Sequence, residues 1–301
     1  MADLSFGGRV AIVTGAGHGL GREHALDLAA RGAKVVVNDL GGALDGTGAS
    51  SGPARDVAEQ IRKDGGTAVP NGDNVATQPG AEAIVETALS EFGRVDVVVN
   101  NAGILRDKSF VKMTTQEFDA VLGVHLRGSF LVTHAAWPHL RTQGYGRVVL
   151  TSSPAGLFGS FGQANYASAK MGLVGLAKAL ALEGAKYDIK INVIAPVAYT
   201  RMTADLLPPE LAERLGPQFV SPLVCYLAHA ECSASGQVYS VAGGRVARVL
   251  VAEGPGWLKK GALRAEDVRD AWDQINADQP QVVPAGAGEQ TEVLFRALQD
   301  S

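Results

Sequence analysis

Seven short apolar runs punctuate the first 244 residues, and helix-periodic stretches lie between them. RVAIVT (9–14), AKVVVND (33–39) and VDVVVN (95–100) are apolar nearly throughout rather than alternating. That is the pattern of a parallel strand buried on both faces. TAVPN (67–71), GRVVLTS (146–152), KINVIAP (190–196) and GQVYSVA (236–242) read as further strands. Helical periodicity is expected over 22–32, 54–64, 81–93, 116–140, 164–183 and 221–232. Strand and helix alternate along the chain, which predicts an α/β, Rossmann-type, doubly wound parallel sheet in one domain over 1–244.

Two segments interrupt this alternation. LGGALDGTGASSGP (40–53) is a Gly/Ser-rich loop of unusual length, and whether it covers a ligand or merely connects is open. VAYTRMTADLLPPELAERLGP (197–217) is Pro-interrupted and partly helical, and is expected to form a lid over a substrate. Residues 245–301 exceed what the sheet needs and form a C-terminal extension. Val268, Ala271, Trp272 and Ile275 are spaced for one apolar helical face, which must bury on the domain, on a partner subunit or on a substrate tail.

Composition narrows the possibilities. With 301 residues and 46% apolar content the chain can bury a large core. A net charge of −4 without a basic run argues against nucleic acid and anionic membrane surfaces. No apolar run reaches the ~20 residues of a membrane span. The start, MADLSFGGRV, lacks the features of a signal sequence. Cys225 and Cys232 are too few for a disulfide framework, and without His pairs nearby they make no metal site. A soluble cytoplasmic protein is expected.

The chemistry collects at the ends of the predicted strands. TGAGHGLG follows the first strand and opens a helix, placing Gly15, Gly17, His18, Gly19, Leu20 and Gly21 at the turn. Glycines there let the backbone approach a pyrophosphate, which the helix N-terminus attracts. Asp39 ends the second strand, about 20 residues past the glycines, where an acid accepts from adenosine ribose hydroxyls and repels a 2′-phosphate. NAD is therefore favoured over NADP; a mostly neutral His18 is a weak counterweight. Asp73, Asn74 and Val75 follow the third strand beside a possible adenine edge, and Asn100, Asn101, Ala102 and Gly103 follow the fourth.

Tyr166 and Lys170 stand one helical turn apart, and Ser153 lies thirteen positions before the tyrosine. An ammonium beside a phenol favours the phenolate, and moving a tyrosine from pKa ~10 to near 7 corresponds to about 4 kcal/mol. Lys170 is thus expected to lower the Tyr166 pKa, while Ser153 holds a substrate oxygen against the phenol.

T-G-x-x-x-G-x-G at 14–21, N-N-A-G at 100–103, Ser153 and Y-x-x-x-K at 166–170 resemble the short-chain dehydrogenase/reductases over 8–244. More narrowly, VVVNDLGG, NNAGILRDKSF, VHLRGSF, GQANYASAK and IAPVAYTRMT resemble the (3R)-hydroxyacyl-CoA dehydrogenase unit of peroxisomal multifunctional enzyme type 2. The resemblance implies catalytic Ser153, Tyr166 and Lys170. It also implies a dinucleotide held by Gly15, Gly19, Leu20, Gly21, Asp39, Asn74, Val75, Asn101, Tyr166 and Lys170. It implies interconversion of a (3R)-3-hydroxyacyl-CoA and a 3-oxoacyl-CoA, as in lipid β-oxidation, and a homodimer or homotetramer. Alternatives are a carrier-protein-linked 3-oxoacyl reductase, a hydroxysteroid or sterol side-chain dehydrogenase, and a non-catalytic dinucleotide-binding protein. Two positions depart from the family pattern: His125 stands where an Asn is usual, and Pro196-Val197 replaces Pro-Gly.

Overall fold

A computed structural model describes residues 3–204, 208–279 and 281–299. Residues 205–207 of the expected lid lie outside this range. The chain divides into two compact units, Met1–Arg248 and Val249–Ser301.

The first unit is built on strands β1 (Val10–Thr14), β2 (Lys34–Asn38), β3 (Thr67–Asn71), β4 (Val97–Asn100), β5 (Gly146–Thr151), β6 (Ile189–Pro196), β7 (Val238–Ala242) and β8 (Arg245–Val249). Their order in the sheet is β3-β2-β1-β4-β5-β6-β7-β8. Pairing is parallel from β3 through to β7. The order reverses direction between β1 and β4, and a crevice opens there beyond the carboxyl ends of the strands. Every residue of β1, β4 and β5 is buried, as the apolar runs of β1 and β4 require; β5 buries Arg147 as well. The connecting helices are α1 (Gly19–Ala30), α2 (Gly52–Lys63), α3 (Gln78–Phe92), α4 (Thr115–Leu122), α5 (Gly128–Gln143), α6 (Pro154–Phe158), α7 (Ala164–Gly184) and α8 (Ser221–Ala228).

Several elements differ from the sequence expectation. The helix expected over 116–140 is α4 and α5 joined through a π-helical turn, Gly123–Arg127. Such turns often mark functional places in a helix. The helix expected over 221–232 stops at Ala228, where His229 turns extended. The short α6 between Ser153 and α7 was not expected. Strand β8 was not expected either: Gly243 and Gly244 both take positive φ, 52° and 83°. A two-residue turn of that kind returns the chain as a hairpin, so the first unit runs past Gly244.

In the second unit, Glu253 and Val282 exchange both backbone hydrogen bonds, at 2.8 and 2.9 Å. Three helices follow in order, α9 (Ala265–Asp270), α10 (Trp272–Ile275) and α11 (Ala287–Gln299). The continuous face expected from Val268 to Ile275 is broken, because Ala271 leaves helical geometry at φ −97°, ψ 8°. Trp272 is 57% exposed, and α11 had not been anticipated.

Candidate active site

The turn from β1 into α1 is packed so tightly that only glycine fits at two places. A Cβ on Gly21 would stand 2.2 Å from the Gly15 carbonyl oxygen and 2.5 Å from Asn101 Nδ2. Gly15 has φ +63°, and a Cβ there would meet the Ala102 backbone at 2.7 Å. Asn101 holds the turn closed, its side-chain amide donating to the Thr14 and Gly15 carbonyls at 3.2 and 3.1 Å. Thr14 Oγ1 accepts from the Asn101 and Ala102 amides at 3.1 and 3.2 Å. His18 caps α1 in extended conformation without a side-chain hydrogen bond to the helix. The first N–H groups of α1 thus have no side-chain cap, and with the helix dipole they suit a phosphate.

A cleft of about 540 Å³ opens from this turn. Gly15, His18, Gly19, Leu20, Asp39, Asp73, Asn74, Val75, Asn101, Ala102 and Gly103 line it together. Gly17 and Gly21 do not line it. They set its shape: a Cβ on Gly17 would press on Pro53 at 2.6 Å and on the Asp39 carboxylate at 2.8 Å.

Asp39 is held from both sides. Its Oδ2 accepts from the Gly17 amide and its Oδ1 from the Gly41 amide, each at 2.7 Å. A carboxylate has about four acceptor positions, so it keeps capacity for hydroxyls. Asp73 rests on a buried amide network in which Asn71 Nδ2 donates to its carboxylate at 2.7 Å and Asn38 Nδ2 to its carbonyl at 2.9 Å. The 40–53 insert does more than connect. Leu40, Gly42, Ala43 and Gly46 line the cleft, and the Leu44 carbonyl accepts from the Leu105 amide at 2.9 Å.

Ser153 follows β5 and caps α6, its Oγ accepting from the Ala155 amide at 3.2 Å. Its hydroxyl also acts on the Tyr166 phenol, drawing the phenol pKa down. Lys170 is buried, and its Nζ donates to the Thr151 carbonyl at 2.5 Å. The electrostatics differs from the expectation that Lys170 lowers the Tyr166 pKa. Enclosure pushes the Tyr166 pKa up to about 12, and the Ser153 hydroxyl offsets this only in part. Burial also brings the Lys170 ammonium down to about 7. Desolvation is the leading cause for both groups. None of the three lines the 540 Å³ cleft; Tyr166 packs against the buried cluster of Ile104, Val121 and Ala169, of which Ile104 does.

His125 lies in the π-helical turn, 2% exposed, with its ring edge-on to Tyr166 at 5.1 Å. Its Nε2 is 3.0 Å from the Ile104 amide nitrogen and 2.8 Å from the Ile104 carbonyl oxygen. Its buried Nδ1 has no partner. Burial, and then the Lys170 charge, hold its pKa well below the usual range, so the ring is neutral. It fits closely under the N-N-A-G loop: a Cβ on Gly103 would meet its Cε1 at 2.3 Å. The Val197 amide, at the second departure from the family pattern, donates to the Val241 carbonyl at 2.9 Å.

Some cleft residues were not singled out in the sequence. Arg106, Asp119 and Ala120 line it, as do Thr200, Arg201 and Met202 from the expected lid. Only the position of 197–217 after the sixth strand hinted at the last three. Among the described residues no group of His, Cys, Asp and Glu is placed to hold a metal, and no helix is long and apolar enough to cross a membrane.

Comparison with known proteins bears on this geometry. Residues 9–210 match the short chain dehydrogenase family, and the chain belongs to it. It is an oxidoreductase of a nicotinamide-dinucleotide-dependent family acting on hydroxyl groups. A short-chain type dehydrogenase/reductase of Mycobacterium tuberculosis is 57% identical over 89% of this chain and 93% of its own length. A peroxisomal hydratase-dehydrogenase-epimerase of Saccharomyces cerevisiae is 56% identical over 80% of this chain, which spans only 27% of that protein. The structure of full-length peroxisomal multifunctional enzyme type 2 from Drosophila melanogaster superposes with a TM-score of 0.84 at 38% identity. It covers 99% of this chain and 50% of its own. The chain is thus related to the dehydrogenase unit of the peroxisomal multifunctional enzymes.

Proposed function

We propose that the protein interconverts a (3R)-3-hydroxyacyl-CoA and a 3-oxoacyl-CoA, using NAD. The observation that carries the chemistry is the grouping of Tyr166 and the buried Lys170 on one face of α7, Nζ 5.3 Å from the centre of the phenol ring, with Ser153 at the end of β5 drawing the phenol pKa down. The substrate class is supported by relatedness to the multifunctional-enzyme dehydrogenase units, and the choice of NAD by Asp39.

The residues present fit a dinucleotide. The uncapped α1 N-terminus suits its pyrophosphate, Asp39 its adenosine ribose, and Asp73, Asn74 and Val75 its adenine. Bound there, NAD would exchange hydride with the substrate C3, and its oxidised ring would add positive charge beside the phenol. Ser153 holds the substrate oxygen against Tyr166. In the reducing direction Tyr166 donates its proton to that oxygen, and at a pKa of about 12 it rests in the donating form. In the oxidising direction it must give up that proton, a step that positive charge nearby favours. Lys170, whose Nζ is 5.3 Å from the centre of the Tyr166 ring, is the chain's own source of it.

The same proposal makes the protein a cytoplasmic homodimer or homotetramer. Phe130 on α5 and Met171 and Leu182 on α7 support the association of copies, being 44%, 43% and 65% exposed. Replacing Tyr166 by Phe and measuring turnover beside NADH binding tests the chemistry. Abolished turnover with NADH binding retained is expected; undiminished turnover overturns the assignment.

A further inference from the structure

Asn165 is wholly buried at the second position of α7, immediately before Tyr166. Its carboxamide is used on every side. Nδ2 donates to the Arg106 carbonyl at 3.0 Å and toward the Glu117 carbonyl, on α4, at 3.4 Å. Its Oδ1 accepts from the Tyr166 amide at 2.8 Å. That amide belongs to the first turn of α7, where backbone donors have no partner within the helix.

The loop that Asn165 grips is itself fixed from two other directions. On the cleft side, Arg106 Nε donates to the Asp45 carbonyl and the Leu105 amide to the Leu44 carbonyl, each at 2.9 Å. Both acceptors belong to the 40–53 insert. On the α7 side, the Lys108 amide donates to the Gly162 carbonyl at 2.9 Å, and Gln163 Nε2 to the Asp107 carboxylate at 2.6 Å. A hydrogen-bonded path therefore runs from the insert, which lines the cleft, through Leu105 and Arg106 and the Asn165 side chain to the backbone of Tyr166.

We propose that Asn165 is a positioning residue for Tyr166. It seats the start of α7 against loop 104–108, so that the phenol is registered to the cleft wall the insert completes. The proposal rests on the assignment of Tyr166 as the acid/base. Asn165 does not touch the reacting atoms: its two donors and its acceptor are spent on backbone. The chemistry is specific to a carboxamide. Both facing groups on one side are carbonyls and the group on the other is an N–H, so the side chain must donate from one atom and accept at the other. An aspartate keeps the acceptor but turns an ionised oxygen toward two carbonyls. Burial and those dipoles raise its pKa, and once protonated its O–H restores a donor.

The test uses the full chain with Asn165→Asp, Asn165→Ala and Tyr166→Phe. It reads kcat with NAD and a (3R)-3-hydroxyacyl-CoA, the Kd of NADH by fluorescence, and thermal melting. A slight displacement of a reacting group can cost up to ~100-fold in rate, so kcat is expected to fall about 10- to 100-fold in both Asn165 variants, with NADH affinity kept. The deficit of Asn165→Asp against wild type should shrink between about pH 8 and about pH 6, as the carboxyl regains its proton, while that of Asn165→Ala stays constant. Wild-type kcat in both Asn165 variants beside an inactive Tyr166→Phe overturns the proposal alone. Loss of NADH binding and of the folded state together with turnover also overturns it, since Asn165 would then be only a core residue. An active Tyr166→Phe is the separate failure of the acid/base assignment.

Discussion

Lys170 Nζ donates to the Thr151 carbonyl at 2.5 Å, while the centre of the Tyr166 ring lies 5.3 Å away. The ammonium is directed at a backbone oxygen, and enclosure governs both side chains. Tyr166 is pushed up to about 12 and Lys170 brought down to about 7. Without dinucleotide, therefore, the phenol is protonated throughout the neutral range. In ultraviolet difference titrations of wild type against Tyr166→Phe, no phenolate belonging to Tyr166 is expected below about pH 10. A phenolate appearing near neutrality in the free protein would contradict this.

Asp39 has a double task, bracing Gly17 and Gly41 and presenting negative charge to the cleft. Hydrogen bonds to a charged group contribute about 1.5–3 kcal/mol, so Asp39→Ala should lower kcat/KM for NAD by roughly 30-fold. The loss for NADP should be smaller, because a repelling charge leaves with the carboxylate. The ratio of the two kcat/KM values is the measurement, and an unchanged ratio would remove Asp39 from cofactor selection.

His24 makes the fold sensitive to acid. It is fully buried in α1, with Nδ1 2.8 Å from Ser221 Oγ on α8 and Nε2 unpartnered. Burial lowers its pKa from 6.5 to about 3. Between these values the unfolded chain binds the proton that the folded one refuses, so stability is fully present above 6.5 and is lost as pH falls toward 3. From pH 6 to pH 4 this amounts to about 2–3 kcal/mol. Urea unfolding at both values should show His24→Gln losing less stability than wild type over that interval. Equal losses would mean that His24 is not the group responsible.

The parts of this molecule most legible in sequence were those with a strong local cause. Unbroken apolar runs mark strands buried on both faces, and Gly15 and Gly21 stand where no Cβ fits. Asp39 was legible because a strand must end at the crevice. Other features depend on where side chains point after folding. The spacing of Tyr166 and Lys170 fixes a shared helix face, but not the choice of the Thr151 carbonyl by the ammonium. Helical periodicity survives a π-helical turn, so 116–140 reads as one helix. In the second unit, the apolar spacing from Val268 to Ile275 gives no sign that Ala271 breaks the helix. Asn165 sits inside GQANYASAK, where a polar residue at a helix start looks ordinary. Only its complete burial marks it.

The proposed reaction is defined by the hydroxyl that is oxidised and the acceptor that takes its hydride. Steady-state turnover of the purified protein with NAD, across (3R)- and (3S)-3-hydroxyacyl-CoAs of several chain lengths and a hydroxysteroid, tests it most directly. Turnover confined to the (3R)-thioesters, with NAD preferred over NADP, is the result expected. Turnover of the steroid alone, of the (3S)-thioesters, or only with NADP would contradict the proposed reaction while leaving the family and the cleft as described.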